Sequence, residues 1–362
     1  VSPVTLDDLS SGYNIDWNIS VDPRFNAMMG FDEAEVREMF HYYQQNDMLN
    51  GDVEAMIAEM NPWYDNYCFA RKSLDDDRVF NCDMTLYYLR WQVDFHRAPE
   101  EMVDKNIRTD YSKLKMLARI DRDSVQEGDR MSTIEKIAAE GDIFVDLHTS
   151  FPAERITDID NFRSLLYYYG LLTMCGTRGD LIKMSIPNNC VREQYFGFLR
   201  DYYQKYSSID LHYLNVMLTD MAYDGRWKPF FESVAQAYRE NSAVRDAMEG
   251  ERNLQGFLKA YLALASYYLV EPELEMNYGY CDFFLLPDKK RYPDVKHSYI
   301  LELKYATRTA TDAELEVQAL EGRNQLLQYS EDKIVRCLSE GTTLHRLLLQ
   351  FRGWDLVRCE EV

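Results

Sequence analysis

Tyr299-Ile300-Leu301-Glu302-Leu303-Lys304-Tyr305 is an apolar strand with an acid and a base set into it. Alternation along a strand puts Glu302 and Lys304 on one face and Leu301 and Leu303 on the other. Charges in so apolar a setting are costly to desolvate unless they are paired or put to use. Twenty residues before Glu302, Gly279-Tyr280-Cys281-Asp282-Phe283-Phe284-Leu285-Leu286 places one carboxylate, Asp282, inside a second apolar strand. Two carboxylates on adjacent strands, with a lysine beside one, can make a divalent-cation site. Hard oxygen ligands suit magnesium, and the ammonium can orient or activate a water.

The segments around these strands define their setting. A long apolar helix is expected over 254–268, then strands over 270–276, 280–286 and 298–305. The turn before the last of these carries Pro287 and Pro293 with Lys289, Lys290 and Arg291. A helix over 312–338 and strands over 344–351 and 355–360 complete a compact α/β domain with a mixed sheet. Glu275 offers a further ligand or rim residue, but it alternates with Glu271 and Glu273, and as a set the three read as a solvated strand face. Pro287-Asp288 and Pro293-Asp294 lie in the polar turn, where a metal carboxylate would not be held rigidly, so Asp282 is the better ligand.

This pattern resembles the PD-(D/E)xK nuclease superfamily, with its restriction-endonuclease-like α/β fold, in which an Asp ends or kinks one strand and ExK lies on the next. Here Cys281, not Pro, precedes the Asp. Gln325-Leu326-Leu327-Gln328-Tyr329 looks like the QLxxY motif of the exonuclease branch, whose glutamine faces the metal site while the tyrosine packs behind it. Glu251, opening the long helix, stands where the superfamily often supplies a further carboxylate. The resemblance implies Asp282, Glu302 and Glu251 around magnesium, Lys304 positioning the attacking water, and Gln325 orienting the lysine or a phosphate. The implied partner is nucleic acid, DNA first. Lys296, Arg308, Arg323 and the basic turn favour this if they gather around one cleft.

The rest of the chain reads as helical. Apolar spacing behind Asp32 predicts a helix over 32–43, and others are expected over 52–60, stopped by Pro62, and after Asp83 as a cap. The middle adds helices over 161–172, 191–206 and 230–244 and strands over 143–147 and 181–186. Gly30-Phe31-Asp32-Glu33-Ala34-Glu35-Val36, Trp63-Tyr64-Asp65-Asn66-Tyr67-Cys68-Phe69 with Phe80-Asn81, and the stretch 2–15 resemble blocks of a bacterial family that joins an AAA-like ATPase to a C-terminal PD-(D/E)xK domain. In the second block Asn66 stands where glycine is usual. Leu165-Leu166-Tyr167-Tyr168-Tyr169-Gly170-Leu171-Leu172-Thr173 and Ile186-Pro187-Asn188 look like its linker region. The expected division is a lid-like ATPase portion over 1–105, a mainly helical linker over 106–245 and a nuclease-like domain over 246–362. The opening at Val1, in mid-pattern, reads as a fragment of something longer. ATP enters only through an upstream half, because no GxxxxGK[ST] loop occurs.

Composition narrows the classes. The 362 residues hold 40 Lys and Arg against 61 Asp and Glu, a net charge of -21. From Glu251 onward there are 14 basic and 18 acidic residues, so the acidity is concentrated upstream. A general polyanion clamp over most of the surface is thereby disfavoured. The six histidines are dispersed, with no HExxH and no Cys/His cluster of zinc spacing. Seven scattered cysteines without a CxxC pair read as reduced, mostly buried thiols of a cytoplasmic chain. No stretch is long and apolar enough to span a bilayer, and nothing in the sequence decides oligomeric state. The function expected is metal-dependent phosphodiester hydrolysis. The alternative is a catalytically inactive nuclease fold serving as a binding or regulatory platform.

Overall fold

The computed structural model describes residues 3–5, 19–76, 78–104, 111–118, 126–204, 209–240, 250–265, 267–276 and 279–362. The side chains of Glu271, Glu273 and Glu275 and most of the 2–15 block lie outside the described residues. The chain divides into two compact units, Val1–Phe198 and Leu199–Val362. Three segments were expected. The helices of 211–240 fall in the second unit because they pack on its sheet: Tyr238 meets Phe351 edge-on at 6.0 Å and Phe257 at 5.1 Å.

The first unit contains α1 (Glu33–Gln45), α2 (Val53–Tyr64), α3 (Cys82–Phe95), α4 (Tyr111–Ala118), α5 (Gln126–Glu140) and α6 (Ile159–Tyr168), and α7 (Asn189–Tyr203) crosses the boundary. Strand β1 (Val4–Thr5) pairs with β3 (Phe151–Pro152). A three-stranded sheet has the order β2 (Asp142–Val145), β5 (Leu181–Ser185), β4 (Thr173–Arg178). Asp32 caps α1 with a full capping box closed by Glu35.

Several boundaries differ from expectation. Pro62 lies inside α2. It removes one backbone bond, but Tyr64 beyond it is fully buried and donates its hydroxyl to Met102 O at 2.8 Å, which carries the helix one more turn. Asn81, not Asp83, caps α3 by accepting from Met84 N. α6 ends at Tyr168, where Gly170 takes φ 72° and Leu171 N turns back to Leu166 O. β4 was not foreseen. Asn66 has φ 83°, a conformation that glycine and, next to it, asparagine adopt most readily.

The second unit is built on a five-stranded sheet of order β10 (Asp355–Glu361), β9 (Thr343–Arg352), β8 (His297–Ala306), β7 (Gly279–Pro287), β6 (Tyr268–Met276). Only β8 and β9 run parallel. A parallel pair needs a crossover, and α11 (Asp312–Ser330) provides it, so that helix covers one face of the sheet. Cys281, Phe284, Ile300, Ala319, Leu326, Tyr329, Val335 and Leu348 form the core beneath it. The other face meets α8 (Leu211–Asp224), α9 (Lys228–Glu240) and α10 (Glu251–Leu262). The single helix expected over 312–338 breaks after Ser330, because Asp332 caps α12 (Lys333–Leu338) by accepting from Ile334 N. A helical first part followed by a mixed C-terminal sheet is therefore the architecture. Among the described residues, no helix is long and apolar enough to cross a membrane. All seven cysteines are free, but only Cys68, Cys190 and Cys281 are buried, and Cys175 and Cys337 are exposed.

Candidate functional site

The site forms where β7 and β8 part. Their paired register runs from Leu285 with Tyr299 to Phe283 with Leu301 and stops one step short of setting Asp282 opposite Glu302. In place of that next backbone pair, Asp282 Oδ2 accepts from Leu303 N at 2.7 Å. Strand alternation also breaks here. Cys281 and Phe284, three apart, both join the core under α11, whereas Phe283 lies under Lys259 of α10, whose ammonium is 5.9 Å from the ring centre. The kink turns Asp282 toward α10, where Gln255 Nε2 donates to its Oδ1 at 3.0 Å.

Glu302 and Lys304 share the β8 face beneath α11, and Lys304 Nζ donates to Glu302 Oε1 at 2.8 Å. The Glu302 side chain is 4% exposed and Lys304 19%. Glu302 Oε2 is buried with no hydrogen-bond donor. Burial pushes the Glu302 carboxyl well above its usual range, Asp282 raises it further, and the Lys304 bond offsets part of this. Burial likewise raises Asp282, against the pull of the Leu303 N–H, while Glu251 adds repulsion and Lys304 and Lys259 oppose it. One lysine bond does not neutralise the buried Glu302 carboxylate and the half-buried Asp282 carboxylate together.

Gln325 faces the same place from α11. Its Nε2 donates to the Tyr329 hydroxyl at 3.4 Å, and its Oε1 is a second buried acceptor without a donor. Burial, with Glu302 next, holds the Tyr329 phenol up at about 12, so it stays neutral beside the carboxylates. Glu251 is exposed in the first turn of α10, one turn before Gln255, and acts on both carboxyls through space. Among the described residues, no three His, Cys, Asp or Glu side chains converge as a preformed metal cage.

Sequence reasoning missed Gln255, Lys259 and Gly322. The first two gave no motif. Gly322 sits on the face of α11 toward β8: a Cβ there would meet Leu348 Cδ1 at 2.7 Å and Lys304 Cε at 3.3 Å. Its position one turn before Leu326 was the available signal. Gly322→Ala is expected to lower stability by about 1–3 kcal/mol through overpacking, despite alanine's better helix propensity. It should also displace Lys304, and urea unfolding measures the loss of stability.

The basic residues do not gather at this site. Lys289, Lys290 and Arg291 follow the end of β7 and Lys296 precedes β8, at the opposite end of both strands from Asp282 and Glu302. Lys289 donates to Glu340 O, and Arg291 pairs with Asp288 at 3.7 Å. Arg323 is bound to Glu360 at 2.7 Å. Arg308 alone follows β8 at the site's end, exposed, with its guanidinium over the Trp354 ring.

Residues 249–361 match the family model of the PD-(D/E)XK nuclease superfamily. The match takes in α10, the whole five-stranded sheet and α11, the elements that carry the site. The second unit thus holds a nuclease-superfamily domain, and nucleases of this superfamily generally use divalent metal ions. No curated protein matches the chain.

Proposed function

We propose that the chain is a magnesium-dependent nuclease that hydrolyses phosphodiester bonds of DNA. The observation that carries this reading is Glu302 Oε2, a buried carboxylate oxygen without a donor, in a cluster that also holds Asp282, Lys304 and the unpartnered Gln325 Oε1. A pair of carboxylates short of a full cage suits magnesium, which keeps several waters and is commonly held by one or two carboxylates plus substrate phosphates. Asp282 and Glu302 would hold the ion, with Glu251 completing the shell from the rim. When bound, the ion supplies positive charge against the phosphate oxygens as negative charge develops there.

The remaining work falls to the chain. Gln255 and the Leu303 N–H fix the Asp282 carboxylate. Lys304, anchored on Glu302, donates to the oxygen of the incoming water and to the phosphate, fixing the line of attack. Gln325, steadied by Tyr329, orients Lys304 or a substrate phosphate. Water oxygen bonds to phosphorus, the bridging P–O bond breaks, and a proton passes through solvent to the leaving oxygen.

The low count of basic residues near the site favours a second reading, a nuclease fold kept as a non-catalytic platform. A cleavage assay on single- and double-stranded DNA and RNA with magnesium or manganese separates them. Metal-dependent cleavage removed by chelator and restored by metal is the expected result; no cleavage of any substrate with either metal would decide for the platform. A lid-like portion over 1–105 and a helical linker over 106–245 would couple this cytoplasmic nuclease to an upstream ATPase half, where ATP would bind.

A further inference from the structure

The first unit contains a cavity of about 370 Å³ with no part in the nuclease site, within the ~300–1,000 Å³ typical of small-ligand sites. Its walls are aromatic. The Tyr67 and Phe69 rings stack at 5.8 Å and 13°, and Tyr167 meets Phe69 edge-on at 6.4 Å. Two of the lining tyrosine hydroxyls are committed, Tyr167 donating to Phe69 O at 2.7 Å and Tyr67 to Gly170 O at 3.4 Å, whereas the Tyr168 hydroxyl is buried without a hydrogen-bond partner. These bonds hold the rings in place. The 66–69 segment is further fixed by pairing of Tyr67 with Val79 and by the Asn66 bond to Pro187 O.

Among the described residues lining this cavity, the one charged side chain is Asp83, exposed in the first turn of α3, and Gln194 adds an amide. Among the described lining residues there is no lysine or arginine. Electron-rich ring faces attract cations, more strongly where water is excluded. A carboxylate at the rim, in the part of the chain that carries most of the -21 net charge, adds to that attraction. Arg24 already rests over Phe25, another lining ring, at 5.9 Å. A planar cation combines what the site offers: a face for the rings and N–H donors for the Asp83 carboxylate and the Gln194 carbonyl.

We propose that this aromatic cavity of the first unit binds a guanidinium group, from either a free small molecule or an arginine side chain of a partner protein. The test is calorimetric titration of the full chain with arginine amide, with citrulline amide as its neutral isostere, and with a capped Gly-Arg-Gly peptide. Arginine amide should bind at least about tenfold tighter than citrulline amide. Asp83→Asn, at an exposed position that does not cap α3, should weaken arginine amide at least about fivefold, and Phe69→Leu should weaken it as well. Tighter binding of the peptide assigns the group to a protein partner, and tighter binding of the amide to a free ligand. Equal binding of citrulline amide, unchanged affinity in Asp83→Asn, or no heat from arginine amide at about 10 mM would overturn the proposal. None of these outcomes depends on nuclease activity.

Discussion

Glu302→Ala and Lys304→Ala are each expected to remove metal-dependent cleavage while affecting stability far less than a broken structural ion pair would. On the proposed reading, Glu302→Ala deletes a metal ligand and should lower the rate by at least about 10³-fold, and Lys304→Ala deletes the water- and phosphate-orienting donor, for about 10²–10³-fold. Their stabilities carry the sharper distinction. In an ordinary buried pair, removing either partner strands the other at a cost of about 3–5 kcal/mol. Here Glu302 is already raised by burial and by Asp282. Without Lys304 it can take up a proton and remain neutral, so the loss at pH 7 should stay below about 2 kcal/mol. Glu302→Ala removes one of two mutually repelling carboxyls and should leave the metal-free protein about as stable as the parent. Urea unfolding of both variants beside the parent measures this. A large loss in each, with an inactive parent, would establish the platform.

The second large effect is in the pH dependence of metal-free stability. Asp282 and Glu302 both have folded-state acidities weakened by burial, so over this range the folded protein binds more protons than the unfolded chain. Stability from this pair is therefore whole below the ordinary carboxyl range near pH 4, falls as pH rises toward neutrality, and stays lost above the folded values. The fall should amount to about 2–3 kcal/mol between pH 4.5 and 8. Magnesium or manganese, which needs both groups ionised, should raise the melting temperature more at pH 8 than at pH 5. Glu302→Gln should flatten both trends. Equal metal-induced shifts in the parent and in Glu302→Gln would remove Glu302 from the ligand set.

Much of the candidate site was legible because strand alternation is local. Glu302 and Lys304, two apart, fall on one face whatever else the chain does, and apolar runs on both sides mark β7 and β8 as interior strands. The Gln325 to Tyr329 spacing is one helical turn, so once α11 is a helix both residues share a face. The Asp32 capping box was equally local, since its two partners lie three residues apart.

Other features depend on partners distant in sequence. Proline stops a helix by local rule, yet α2 runs through Pro62 because the burial of Tyr64 outweighs one lost backbone bond. Charge alone suggested that Lys289 to Arg291 would serve the site, but the antiparallel direction of β7 and β8 carries them to the far end of the sheet. Gln255 and Lys259 belong to an amphipathic helix like many others until the kink at Asp282 brings the carboxylate to them. Periodicity and side-chain chemistry, which are properties of neighbours along the chain, were enough for the helical first part, the mixed sheet and the charged residues of the candidate site. The tertiary structure alone decided which carboxylate oxygen is left buried without a donor, since desolvation and hydrogen-bond supply are set by whatever packs against a residue from elsewhere in the fold.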